Sequence, residues 1–213
     1  MVDGDRIFLG WNEGGVTTSH PFALEDDHLK YLASADLVHS SVYSAAEPQL
    51  PAVRSTGTLV SFDYSSEPER RTDSYLMQTA PYVDLALLSC GNMTVAAVEN
   101  DLRRVHAAGV ALAVGGTRGQ LGAMMYDGER FLTQAAAPTD PRRFADTMGC
   151  GGCLPGGTRS QPAWLRLEPG VPAAGRRFAE SPGSWGGVGR GSVLCGGRLR
   201  IRQAVEVAAG QSR

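Results

Sequence analysis

Apolar residues fall along this chain in two rhythms, short dense runs and longer segments with one apolar stripe. Asp36–Tyr43, Thr58–Asp63 and Val83–Ser89 are dense runs of strand length, and each predicts a strand. Between them, Pro48–Arg54 and Asp73–Thr79 predict short helices. The clearest helix is Thr94–Ala108, with Val95, Val98, Leu102 and Val105 on one stripe. Val110–Val114 predicts a fourth strand, almost continuously apolar as a buried parallel strand is. Ahead of these, Ala23–Leu32 is acidic early and basic late, which suits the helix dipole, and Leu24, Leu29 and Leu32 share one side. Two hairpins are also expected. One turns at Asp3-Gly4-Asp5, before Arg6–Leu9; the other turns at Asp127-Gly128, between Gly122–Tyr126 and Arg130–Leu132.

Strands alternating with helices at this spacing predict an α/β, Rossmann-like parallel sheet with helices on both faces. Ligands of such sheets sit beyond the carboxyl ends of the strands. The polar residues expected there are Tyr43 and Ser44, Asp63 and Ser65, Ser89 and Asn92, and Thr117 and Gly119.

Composition adds two things to this picture. The chain has 213 residues, 42% of them hydrophobic, with a net charge of −2, so neither nucleic acid nor an anionic membrane surface is an expected partner. No run of about 18 apolar residues and no leader are read, and four cysteines in a chain of this size suit a reducing cytoplasm. The second is a break. Residues 1–150 hold every Asp and Asn and the single lysine, Lys30, whereas residues 151–213 hold 14 of the 27 glycines and nine arginines.

Two segments carry the candidate chemistry. Gly115-Gly116-Thr117-Arg118-Gly119-Gln120-Leu121-Gly122 follows the fourth expected strand, and its glycines let a backbone approach a phosphate closely. Alone it reads equally as a plain turn, since it lacks the closing Gly-Lys-Ser/Thr of a P-loop. The second segment is Asp146-Thr147-Met148-Gly149-Cys150-Gly151-Gly152.

Here the sequence resembles the PfkB (ribokinase-like) carbohydrate kinases, whose signature reads Asp-Thr-x-Gly-Ala-Gly-Asp. The chain matches at Asp146, Thr147, Gly149 and Gly151, with Cys150 in place of Ala and Gly152 at the closing Asp. The family's nucleotide loop, Thr-x-Gly-x-x-Gly-Ala, matches at Thr117, Gly119, Gly122 and Ala123. Within the family, the run from Asp5-Arg6-Ile7-Phe8 through Val38-His39 and Ser61-Phe62-Asp63 looks most like the fructoselysine 6-kinases.

The resemblance implies a ribokinase-like sheet, incomplete here, with residues 1–22 a remnant of a β lid and residues 1–151 a partial kinase domain. It implies transfer of the ATP γ-phosphate to a sugar or ketosamine hydroxyl, with ATP and Mg²⁺ as cofactors. The amides of Gly149, Cys150 and Gly151 would form the anion hole, and Thr117, Gly119, Gly122, Asp146 and Thr147 would bind nucleotide. Trp11 and Asn12 would contact substrate at the lid edge, and an intact relative would form a homodimer through the lid; Asp63, at a strand end, reads equally as a substrate or nucleotide contact and as an Asp that starts the next turn. The family's closing Asp is the base that activates the sugar hydroxyl. Gly152 therefore implies impaired transfer, or a non-catalytic remnant that binds nucleotide or a partner chain.

The match ends where the composition changes. Read one base later, the codons of Gly152-Cys153-Leu154-Pro155-Gly156-Gly157 permit Asp, Ala, Phe, Leu, Ala and then Gly or Ala, as the family has there. Residues 152–213 are thus expected to be an out-of-frame, poorly ordered tail. Several residues have plainer readings. Cys150 and Cys153 form a Cys-x-x-Cys pair, but no second pair accompanies it, so a zinc site is not expected. His39 reads as a core histidine, His20, His28 and His106 as surface residues, and Arg70 and Arg71 as a solvated face.

Overall fold

The structure, a computed structural model, describes residues 15–91 and 93–136. The elements are α1 (Val16–Ser19), α2 (Asp26–Ala33), β1 (Leu37–Ser41), α3 (Leu50–Ser55), β2 (Leu59–Asp63) and α4 (Asp73–Thr79). They are followed by β3 (Leu85–Ser89), α5 (Val95–Ala107), β4 (Ala113–Thr117), β5 (Ala123–Tyr126) and β6 (Phe131–Gln134). The six strands form one sheet in sequence order. β1 to β4 are parallel, and β5 and β6 extend it as an antiparallel hairpin. The expected parallel-rich α/β sheet is the one found.

Strand order rises steadily, so right-handed crossovers place successive helices on the same face. The main core shows this: Leu32 of α2, Leu50 and Val53 of α3, Leu76 of α4, and Val98, Leu102 and Val105 of α5 meet Val60, Phe62, Ala86, Leu88, Val114 and Met124 of the sheet. Side chains alternate across a strand, so Leu85, Ala113 and Met125 gather on the opposite face with Leu37, Leu112 and Leu132. Helices were expected on both faces; α2 to α5 pack on the first face, and among the described residues no helix side chain joins the cluster on the second.

Local chemistry sets the helix starts. Thr94 caps α5 by accepting the Ala97 N–H at 3.3 Å, and Thr72 caps α4 by accepting the Tyr75 N–H. Val95, expected on the buried stripe, is 47% exposed, whereas Val98, Leu102 and Val105 of that stripe are buried.

The fourth strand differs from the expected Val110–Val114. It runs Ala113–Thr117 and takes Gly115 and Gly116 into the sheet instead of leaving them in the following loop. The reason is close packing. A Cβ on Gly116 would lie 3.1 Å from Cys90 Sγ and 3.4 Å from Leu102 and Val98, and one on Gly115 would lie 3.3 Å from Leu87. Ahead of the strand, Ala111 and Leu112 donate to the carbonyls of Val83 and Asp84 at 3.0 Å.

Two ion pairs, each with one buried partner, tie helices to the sheet. Asp84, fully buried before β3, accepts the Val60 N–H at 2.9 Å and a guanidinium N–H of Arg54. Arg71, expected on a solvated face, is 7% exposed. It donates to the carbonyls of Ser65 and Ser89, and to Asp101 at 3.4 Å. Asp101 also takes Arg104, which returns to the Arg71 carbonyl at 2.7 Å and to Asp73 at 3.0 Å.

Candidate functional site

Four parallel strands end on one side, and the register sets their last residues next to one another. Ser41 stands beside Asp63, Asp63 beside Leu87, and Ser89 beside Thr117. The polar residues expected at these ends are brought together there. Asn92, Trp11, Asn12, Asp146, Thr147 and Gly149, Cys150, Gly151 and Gly152 lie outside the described residues.

At the β2 end, Asp63 accepts the Ser65 N–H at 2.7 Å and holds Ser65 at a φ of 55°. That left-handed backbone is uncommon for serine. The Arg71 guanidinium fixes the Ser65 carbonyl from below, so the turn is clamped at both ends. Tyr43 reaches across from β1, its hydroxyl 2.7 Å from Ser65 Oγ and donating to Glu67. Burial first, then the Glu67 carboxylate, push the Tyr43 phenol up, so it is a neutral donor.

Beneath this surface the groups are structural. His39 is partly buried with its Nδ1 3.2 Å from Ser61 Oγ, and burial holds its ring below the usual imidazole value against the pull of Asp63. Expected as a core histidine, it is instead partly buried, bonded to Ser61 and outside both core clusters. Glu47 accepts from Tyr75 at 2.7 Å and from Arg70 at 3.3 Å. Tyr64 bonds Thr79 at 2.9 Å, its phenol pushed up to about 12 by burial.

The β4 end carries the glycine loop. Thr117 closes the strand, and its carbonyl accepts the Cys90 N–H at 2.7 Å, drawing the β3–α5 connection alongside. Arg118 N–H donates to the Gly122 carbonyl at 2.7 Å, and Gly122 N–H donates to the Gly119 carbonyl at 3.0 Å. Gly119 has a φ of +56°, and nothing lies within 4 Å of where its Cβ would be. Gly122, at φ 88° and ψ −140°, is pressed against the chain after β6. Two glycines of one loop thus differ: Gly119 leaves the loop open outward, and Gly122 lets it fold back.

Sequence reasoning named Thr117, Gly119 and Gly122 but assigned nothing to Arg118 between them. Its guanidinium donates to the Met93 carbonyl at 3.3 Å, and its Nε is enclosed without a hydrogen-bond partner. The only signal in the sequence was its place within the Thr-x-Gly-x-x-Gly-Ala loop. A cradle with open backbone space at Gly119 and a cation beside it fits an anionic phosphate chain. Among the described residues no group of three or more His, Cys, Asp or Glu side chains is placed to hold a metal ion. Among them, too, no helix is long and apolar enough to cross a membrane.

No protein-family model matches the chain. Curated relatives do. Fructosamine kinase FrlD of Bacillus subtilis is 34% identical over 149 residues, covering 70% of this chain and 49% of that protein. The fructoselysine 6-kinases of Shigella flexneri and Escherichia coli are 32% and 31% identical, each covering 71% of this chain and 54% of the relative. The chain therefore spans about half the length of these relatives.

Solved structures agree on the fold. A microbiome-derived acarbose kinase superposes with a TM-score of 0.52 at 19% identity, covering 63% of this chain and 45% of that one. Anopheles gambiae adenosine kinase, solved with a di(adenosine) tetraphosphate, gives 0.50 at 17% identity over 61% and 45%. The described residues carry the ribokinase-like fold, and over about 70% of its length the chain is a homologue of the fructosamine and fructoselysine kinases.

Proposed function

We propose that the chain derives from an ATP-dependent carbohydrate kinase and forms its nucleotide-binding part. The reaction is transfer of the γ-phosphate to a hydroxyl of a sugar or ketosamine of the fructoselysine kind. The observation that carries this reading is the 34% identity to a fructosamine kinase across a stretch that includes the Thr117–Ala123 loop. That loop stands at the carboxyl end of β4, where α/β sheets take their ligands.

In this reading ATP supplies the phosphoryl group, and Mg²⁺ arrives on its phosphates, as is usual where few protein ligands hold the ion. Thr117, Gly119 and Gly122 hold the phosphate chain, and Asp146 and Thr147 have the nucleotide-binding role that the resemblance implies. The amides of Gly149, Cys150 and Gly151 receive the transferring group, while Asp63, Trp11 and Asn12 contact the acceptor. Phosphoryl transfer needs positioning and charge stabilisation more than covalent chemistry, and backbone amides supply both.

Gly152 favours a second reading, a remnant that binds nucleotide without turning over. It has no side chain to take the hydroxyl proton, and general-base catalysis typically contributes roughly 10²–10⁴-fold. A coupled phosphorylation assay with MgATP and a panel of ketosamines separates the two. Turnover supports a working kinase, ATP binding without turnover supports the remnant, and absence of both rejects the kinase reading. Gly152→Asp alone should not restore full transfer. It returns the base alone, while transfer also requires the acceptor hydroxyl to be held in line.

A further inference from the structure

We propose that Arg118 is a direct ligand of the polyphosphate of a nucleoside triphosphate, held ready by the protein to complete its charge with that anion. The identity of the anion rests on the kinase reading; the existence of an anion site does not.

The pairing of charges carries the argument. Among the described residues, Lys30, Arg54, Arg70, Arg71, Arg103, Arg104 and Arg130 each have a carboxylate within salt-bridge distance. Arg118 alone among them has none. It is nevertheless partly buried, with Nε enclosed and unpartnered and one terminal nitrogen on the Met93 carbonyl. A partly desolvated guanidinium without a counter-charge is unfavourable, and a carbonyl satisfies one donor of five without neutralising the charge. A counter-ion from outside resolves this.

Position says which kind. Arg118 is the first residue beyond β4, and its bond to Met93 holds the guanidinium between the β3–α5 and β4–β5 connections. The next residue, Gly119, leaves open space where a side chain would stand, so an anion can reach the backbone beside the guanidinium. Arginine's planar fork matches phosphate oxygens in pairs, and at such a site it binds them better than a lysine point charge.

The test is calorimetric titration of the full chain with ATP, adenosine and inorganic tripolyphosphate, repeated on Arg118→Gln and Arg118→Lys. Arg118→Gln should weaken ATP and tripolyphosphate by about 10-fold to 100-fold and leave adenosine unchanged. Arg118→Lys should keep part of the loss, because it keeps the charge without the fork. Unchanged ATP affinity in Arg118→Gln overturns the proposal. So does an equal loss for ATP and adenosine, which is the signature of a residue that only holds the Met93 carbonyl. Tripolyphosphate binding that depends on Arg118, with no binding of ATP or adenosine, upholds the anion site and rejects the nucleotide reading. ATP binding indifferent to Arg118 does the reverse. Binding of none of the three by the unaltered chain overturns both.

Discussion

Replacing Gly122 with alanine should damage the nucleotide loop far more than the same change at Gly119, three residues away. Gly122 sits at φ 88° and ψ −140°, a region open essentially to glycine alone and worth about 1–3 kcal/mol of strain for another residue. Its new Cβ would also lie 2.0 Å from the Gln134 carbonyl oxygen, 2.8 Å from Ala136 N and 2.9 Å from Ala135 C. These are backbone atoms, so no side chain can swing aside, and overpacking adds about 1–3 kcal/mol. The sum is about 2–6 kcal/mol, a large share of the roughly 5–15 kcal/mol that stabilises a typical domain. Relief would break the Arg118–Gly122 hydrogen bond and the Ala123–Gln134 pairing that starts the hairpin. At Gly119 the φ of +56° is the only obstacle, since nothing lies within 4 Å, so alanine there costs about 1–2 kcal/mol. Urea unfolding followed by circular dichroism compares the two variants directly. If the Gly122→Ala midpoint matches that of Gly119→Ala, the steric reasoning is refuted.

Other consequences follow from the buried charges. Arg71→Met strips the Ser65 and Ser89 carbonyls and Asp101 of a shared donor and should destabilise by about 3–5 kcal/mol in the same denaturation assay; Arg71→Met with Asp101→Leu should recover part of that loss. Asp84→Ala should cost a similar amount, about 3–5 kcal/mol, because Val60 N–H and Arg54 lose one buried acceptor, whereas removing the exposed Lys30–Asp27 pair should cost no measurable stability. Burial holds His39 and His106 below the usual imidazole value of 6.5, so below that pH the unfolded chain binds more protons than the folded one. Their contribution to stability is complete above about pH 6.5 and is lost as the pH falls towards the folded-state values, so the melting temperature should drop between pH 7.5 and 5.5, and His39→Gln should flatten that slope.

Where side-chain pattern alone decides structure, the sequence was legible. Asp73–Thr79 is the α4 helix, Thr94–Ala108 brackets α5, and the dense apolar runs are β1, β2 and β3. β4 was displaced because Gly115 and Gly116 read as loop residues. Their place in the strand depends on how closely α5 and Cys90 approach the sheet, a tertiary fact with no local signature. Arg70 and Arg71 are adjacent and chemically identical, yet one stacks over Tyr75 at the surface while the other is buried against two carbonyls. Nothing in a doublet of arginines says which will turn inward. The site was legible as a spacing, Thr117 to Gly122, but the roles within it were not. The difference between open Gly119 and closed Gly122, and the unpaired Arg118 between them, emerge only when the charges and the free space around each are known.

The central claim is that the carboxyl end of β4 is where nucleotide binds, and an amide chemical-shift titration of the ¹⁵N-labelled chain with MgATP tests it most directly. The account predicts saturable shifts concentrated at Thr117, Arg118, Gly119 and Gly122, extending to Met93 across the Arg118 bond, with the amides of α2 and α3 unmoved. Saturable shifts elsewhere that leave the Thr117–Gly122 loop untouched would contradict it.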